Sequence, residues 1–376
     1  MIAGFYLPGF KGGGPIRTIA NIVDHLGEEV DFSVITGDRD LGDLTPYSDV
    51  LVNDWNKVGS ARVFYLPAGL ASIWSLIRLF LQFEGAYIYL NSFFSFRFSI
   101  FPILLWRLLK GKRRVLIAPR GEFSEGALAI RHSKKLFFIA LAKFFGIYGN
   151  VVWHASTEHE VDDIRRLMGG DANVQTAINI SRPPFEVDLM QVKKGSPLRI
   201  VFVSRISQKK NLLGAIEMLK MVRCSVVFDV YGPAEDSIYW ENCESAAKGL
   251  PEHIKFNYRG AMHPAHISGV LVDYDLFYLP TLGENFGHVI AEALGCGLPV
   301  LISDMTPWRD LEAKGIGWDV PLRQPALFAE CIEICSRKTT EQYRVWRDEV
   351  RAWALKNIGN IESIEQNRRL FLSLSI

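Results

Sequence analysis

Short apolar runs rich in Val, Ile and Phe alternate with longer helical patterns through the C-terminal half of this sequence, and that rhythm restricts the fold more than any other feature. Residues 198–204 (LRIVFVS), 224–232 (CSVVFDVYG), 253–260 (HIKFNYRG), 275–280 (DLFYLP) and 298–304 (LPVLISD) read as strands. Residues 211–222, 237–249, a short segment near 264–272 and residues 286–297 read as the helices between them. Such alternation predicts a parallel, doubly wound α/β sheet. The N-terminal half repeats the theme less cleanly in IAGFYLP, VDFSVIT, AYIYLNS, RRVLIAP and NVVWHAS. A chain of 376 residues has room for two such domains, each with its own core. The stretch around 180–197, rich in Pro, Gly and charge, precedes a fresh strand and marks the division. The expected organisation is an N-terminal domain over 1–182, a linker over 183–197, a C-terminal domain over 198–340 and a helical tail over 341–376. Either domain could receive the tail, a return to the N-terminal one included.

With 42 Lys+Arg against 41 Asp+Glu the formal charge is +1, which argues against a dedicated nucleic-acid binder. Five cysteines, Cys224, Cys243, Cys296, Cys331 and Cys335, form an odd set without a Cys-x-x-Cys, so neither a disulfide framework nor a zinc site is indicated. A reducing cytoplasm fits that usage. The opening MIAGFYLPGF lacks a basic leader and reads as a first strand rather than a secretory signal. No stretch of about 18 residues stays apolar without a charge, so a spanning helix is not expected.

Ligands of open α/β sheets bind beyond the carboxyl ends of strands, and two of those loops carry chemistry. Arg205 follows VFVS, and Lys210 comes five residues later, just before the helix expected from Asn211. Two cations at a strand-to-helix turn suit a diphosphate, the plain alternative being solvated loop residues. After DLFYLP, Glu284 and Glu292 lie eight residues apart in TLGENFGHVIAEALGCGLPV. For a helix starting at Asn285, Glu292 falls two turns along the face of Asn285 and His288, with Glu284 in the loop ahead. Two carboxylates can accept hydrogen bonds from two polyols while the amides of 284–287 face an anion. A capping glutamate and a solvated one are the alternative.

These residues resemble the family 4 retaining glycosyltransferases of GT-B architecture, of the bacterial surface-polysaccharide type. The resemblance runs along nearly the whole chain and is most specific in the E-x7-E motif, Glu284 and Glu292. It implies two Rossmann-like domains with parallel doubly wound sheets facing a central cleft. It further implies sugar transfer, with retention, from a nucleoside-diphosphate sugar to a glycan or lipid-linked acceptor in polysaccharide synthesis. By the same resemblance Arg205, Lys210 and Glu284 form the catalytic set, the two cations on the diphosphate and Glu284 on the transferred sugar. Glu292 would hold the ribose, Asn285, Phe286 and Gly287 would supply backbone amides, and YGPAEDSIYW would lie near the nucleobase.

In the N-terminal half GFKGGGPIRTIANIVDHL resembles the family's glycine-rich loop, where Gly12, Gly13 and Gly14 would let backbone approach donor or acceptor. In IAPRGEFSEGAL, Arg120 stands where relatives carry a His, and Arg120 and Glu122 become acceptor-side candidates, with buried structural pairing the alternative. WHASTEHEVDDI resembles another family segment, which adds His154 to that side, while Thr157 and Glu160 fit a capping box. Asp38-Arg39-Asp40 and Asp273-Tyr274-Asp275 are the only Asp-x-Asp triplets, and the second matches a structural position of the family. With Arg205 and Lys210 on the diphosphate, no metal and no cofactor beyond the nucleotide-sugar co-substrate is expected.

Residues 97–143 hold eleven Lys and Arg against two Glu, a local net of +9, with interleaved aromatics. Segments such as FSIFPILLWRLLKGKRR and SKKLFFIALAKFF suit an anionic membrane surface along 97–145, and equally a core whose rim is solvated by bases. The localisation expected is cytoplasmic, at the inner membrane face if the first reading holds. A sugar-nucleotide epimerase or phosphorylase of the same architecture, and a catalytically silent membrane-associated scaffold, remain open at this stage.

Overall fold

In a computed structural model, which describes residues 1–82, 87–109, 114–129, 132–182, 184, 196–359 and 361–372, the chain folds as two units. One comprises Met1–Ile180 with Ile361–Ile376, the other Ser181–Asn360. Most of the linker expected at 183–197 lies outside the described residues.

The second unit is built on six parallel strands in the order Ile254–Gly260, Val226–Tyr231, Leu198–Val203, Leu276–Leu279, Val300–Ser303 and Gly317–Val320. Counted along the chain this is 3-2-1-4-5-6, with the reversal of winding between Leu198–Val203 and Leu276–Leu279. Those two strands pair through Leu276 with Ile200 and Phe277 with Val201. Near-continuous burial along Leu198–Val203, Leu276–Leu279 and Val300–Ser303 explains why they read as unbroken apolar runs rather than alternating ones. The sixth strand, Gly317–Val320, was not expected from the sequence.

The sheet of the first unit is held at its middle by the first residues of the chain, since Ile2 bridges in parallel to both Ile35 and Leu90. On one side lie Ser33–Gly37, Ala61–Leu66 and Trp55–Val58, on the other Tyr87–Leu90, Arg114–Ile117, Val152–Ala155 and Val174–Thr176. Trp55–Val58 runs antiparallel to Ala61–Leu66, a hairpin absent from the sequence reading. The first strand expected over IAGFYLP shrinks to Ile2 and its neighbours, because the chain turns out of the sheet, with Gly9 N–H donating to the Tyr6 carbonyl.

The tail expected as one piece over 341–376 divides between the units. Thr340–Asn357 buries Tyr343, Trp346 and Val350 in the second, where Arg347, itself buried, donates to the carbonyls of Val272, Tyr274 and Cys296. Ile361–Leu372 belongs to the first, where Phe371 meets Phe32 edge-on at 5.6 Å and Asn367 Nδ2 donates to the Ile178 carbonyl.

Candidate functional site

Winding reverses in the second unit between Leu198–Val203 and Leu276–Leu279, so the loops beyond these strands flank the crevice where open α/β sheets take ligands. The loops are stitched together. The Lys209 carbonyl accepts from Leu282 N–H at 2.8 Å and from Thr281 Oγ1 at 3.0 Å, and Asn211 Nδ2 donates to the Pro280 carbonyl at 2.8 Å. A third loop joins through Ser303 Oγ, which donates to the Thr281 carbonyl at 2.5 Å, and Glu284 N–H, which donates to Met305 at 3.0 Å.

This frame brings the Lys210 ammonium onto the Glu284 carboxylate, with both side chains only 12% exposed. Burial pushes the Glu284 carboxyl up, but the charge and hydrogen bond of Lys210, aided by Lys209 and Arg205, outweigh it and hold the group below its ordinary value. The carboxylate is thus ionised at neutral pH. An ammonium carries three N–H donors, so a Lys210 fixed by Glu284 keeps donors for an anion.

Arg205 makes a different pair, with Glu235 at 2.5 Å. Glu235, which the sequence reading passed over, comes from the loop after Val226–Tyr231. That loop interlocks with the Arg205 turn: Ile206 N–H donates to the Pro233 carbonyl and Glu235 N–H to the Ile206 carbonyl.

Glu292 lies on the helix His288–Gly295, one turn beyond His288. The helix starts three residues later than expected because Gly287 takes a left-handed conformation at φ 81°, which leaves Asn285 and Phe286 in the loop with Glu284. Phe286 is packed between His288 and Trp308, with its carbonyl accepting from Trp308 Nε1 at 2.5 Å. The amide of Glu284, expected to face an anion, is instead committed to the Met305 carbonyl.

The N-terminal candidates occupy the first unit. Of the glycine-rich loop, Phe10 and Lys11 donate their amides to the Asp40 carboxylate at 2.7 and 3.0 Å, and Gly13 donates to the Phe10 carbonyl. Those three amides are engaged within the loop and its Asp40 partner. Asp40 thus shapes this loop, while Asp38 pairs with Arg39. In the second triplet Asp275 is buried and accepts from the Arg199 amide at 2.7 Å. Among the described residues no group of three or more His, Cys, Asp or Glu could hold a metal ion.

His154 is fully buried, bonded through Nδ1 to the Tyr89 hydroxyl at 2.8 Å and through Nε2 to the Ala177 carbonyl at 2.9 Å. Burial first, and the Arg120 charge second, lower its pKa to about 3, so the imidazole is neutral. With both nitrogens occupied and no exposed face, His154 is a structural node and not an acceptor contact. Glu122 is structural as well, its carboxylate accepting from the amides of Phe93 and Phe94 and from Ser92 Oγ. The expected capping box is half formed: Thr157 caps the helix Glu158–Met168 by accepting from Glu160 N–H. The Glu160 carboxylate instead reaches Ser156 and the Gly121 amide, tying this helix to the Arg120 segment.

Residues 190–353 match the family described as glycosyl transferases group 1. A phosphatidyl-myo-inositol mannosyltransferase from Mycobacterium leprae is 34% identical over 94 residues, a stretch that covers 24% of this chain and 25% of that protein. Among solved structures, Anabaena HepE in complex with UDP and glucose superposes with a TM-score of 0.71 at 16% identity, covering 100% of both chains. Sucrose-phosphate synthase from Thermosynechococcus elongatus gives 0.70 at 14% identity, over 96% of this chain and 94% of that one. The protein accordingly has the GT-B fold of these structures, and residues 190–353 resemble the group 1 glycosyl transferases.

Proposed function

We propose that this protein transfers a sugar, with retention at the anomeric carbon, from a nucleoside-diphosphate sugar to a glycan or lipid-linked acceptor in the synthesis of a cell-surface polysaccharide. The observation that carries the reading is the Lys210–Glu284 pair at the point where the winding of the sheet reverses, with Arg205 on the adjoining loop. Lys210 and Arg205 stabilise the charge that grows on the departing diphosphate, where preorganised cations are most effective. Glu284 holds the sugar and Glu292 the ribose, and the 285–287 backbone faces the phosphates. The bond from the anomeric carbon to the phosphate oxygen breaks, the acceptor oxygen bonds to the same face, and its proton passes to the departing phosphate oxygen. No protein nucleophile takes part, and the two cations make a divalent metal unnecessary.

Glu235 occupies Arg205 until a diphosphate competes for it. Glu235→Gln is expected to lower KM for the donor by about two- to fivefold, the range of a partly exposed ion pair. A raised KM would mean that Glu235 serves the donor itself.

The membrane reading applies to one of its two segments. Phe101–Leu108 turns Ile103, Leu105 and Trp106 into the core and exposes Leu108 at its end, with Leu109 after it, while Lys110, Lys112 and Arg113 lie outside the described residues. The helix His132–Phe144 buries Ile139 and Ala142 but exposes Phe137, Leu141 and Phe144, followed by exposed Phe145, with Lys134 and Lys143 beside them and no acid on the helix. An apolar face rimmed by cations supports docking to anionic lipid at the inner membrane face. No helix among the described residues is long and apolar enough to cross a membrane.

A thermal-shift panel of UDP-, GDP- and ADP-sugars with EDTA tests the donor site: one donor should stabilise the protein, undiminished by the chelator. Failure of every donor to bind, or a requirement for metal, overturns the assignment. NMR of the product anomer tests retention. Sedimentation with phosphatidylglycerol vesicles should deplete the protein from solution and phosphatidylcholine vesicles should not.

A further inference from the structure

Arg120 leaves the strand Arg114–Ile117 in a left-handed conformation, φ 55°, that non-glycine residues seldom adopt. Its guanidinium is then fixed from three sides. Nε donates to Asn91 Oδ1 at 2.8 Å, Nη1 to Asn179 Oδ1 at 2.7 Å, and Nη2 to the Tyr89 hydroxyl. All three acceptors are neutral, and among the described residues Arg120 forms no ion pair. Arg205, Arg259 and Arg368 each find a carboxylate. A guanidinium has five N–H donors, so with three spent one remains on each Nη.

Two nearby carboxylates are committed elsewhere, Glu122 to the 92–94 turn and Glu160 to Gly121 and Ser156. His154, reached through Tyr89, is neutral and adds no second charge. The place is also telling. Asn91 follows Tyr87–Leu90, the strand beside Ile2 where the winding of this unit's sheet reverses, and its Nδ2 donates to the Pro15 carbonyl just past the glycine-rich loop. Half-buried, held from three sides and without an ion pair among the described residues, Arg120 lies at the carboxyl edge of a parallel sheet and has the setting of a ligand-binding cation.

We propose that Arg120 recognises an oxyanion, a carboxylate or a phosphate ester, on the sugar substrate that the first unit receives. The assignment rests on the glycosyltransferase reading and narrows its substrate to an anionic class. A guanidinium fork suits both groups, and the experiment separates them.

The full chain would be titrated with glucose 6-phosphate, glucuronate and glucose, each with and without the nucleoside diphosphate found in the donor panel. One of the two anions should bind about tenfold or more tighter than glucose, as charge-assisted hydrogen bonds require. Arg120→Gln should erase that preference. Because this variant also loosens the cluster, Asn179→Asp provides a second: it changes one group, keeps an acceptor for Nη1 and supplies an internal counter-ion, so it should fold and lose the anion. Equal binding of all three sugars by the wild type, or a preference that survives Asn179→Asp, overturns the proposal. Nucleoside-diphosphate binding reads the second unit separately, so a failure of the transferase reading is told apart from a failure of the first unit to prefer an anion.

Discussion

Replacing Lys210 by alanine is expected to lower kcat/KM for sugar transfer by roughly 10²–10³-fold, the usual cost of removing one preorganised group that stabilises transition-state charge. The loss should fall mainly on kcat, because the diphosphate gains charge as the anomeric bond breaks. Glu284→Ala should lose transfer to a similar degree by freeing both Lys210 and the sugar. The stabilities of the two variants should differ. Lys210→Ala leaves a mostly buried carboxylate without its cation, a change worth about 3–5 kcal/mol for a fully buried pair and less here, where 12% of each side chain is exposed. Glu284 would then tend to protonate, since Lys210 is the principal force holding its pKa down against burial. The double variant Lys210→Ala/Glu284→Ala should therefore be more stable than the sum of the single losses predicts. Steady-state release of nucleoside diphosphate and urea unfolding measure both quantities. Full activity in either single variant would sink the assignment of the site.

The sequence made the second unit legible because its strands are buried on both faces. Leu198–Val203, Leu276–Leu279 and Val300–Ser303 stand out as apolar runs whatever packs beside them. Gly317–Val320 escaped because four residues containing Trp318 and a half-buried Asp319 have no periodicity to read. The hairpin of Trp55–Val58 and Ala61–Leu66 did carry a signal, a Gly59-Ser60 turn between two runs, which was passed over. Arg205, Lys210 and Glu284 were found because each follows a strand, and the strand order then brought Lys210 to Glu284 across 74 residues. Glu235 follows a strand too, but nothing in local spacing joins it to Arg205 30 residues earlier. The same limit explains His154 and Glu122. The resemblance of their segments made them candidates, and only the fold reveals that Tyr89, Ala177 and the 92–94 turn have already occupied their polar atoms. Position in the sheet is thus written locally, whereas the partner that turns a polar residue into structure or chemistry is supplied by tertiary contact.

Gly232→Ala should damage the donor site without touching a charged group. Gly232 lies at φ 146°, where side chains are strained, and a Cβ there would stand 1.8 Å from the Ser204 carbonyl oxygen and 3.3 Å from the Arg205 nitrogen. Nothing flexible lies in the way, so backbone must move. The segments that would part are those joined by Ser204 N–H to the Tyr231 carbonyl and Ile206 N–H to the Pro233 carbonyl, which together hold Arg205 and Glu235 in register. Strain and overpacking of this kind cost about 2–5 kcal/mol together. For a unit of this size that is a fall in Tm of roughly 5–15 °C. Gly315→Ala is the matched control: the same unit, φ 71°, and nothing within 4 Å of the added carbon, so it should cost only the conformational part, about 1–2 kcal/mol. Donor affinity should fall in Gly232→Ala and hold in Gly315→Ala, because only the first displaces Arg205. If Gly232→Ala melted and bound donor like Gly315→Ala, the close approach of the two loops would not be what positions the arginine.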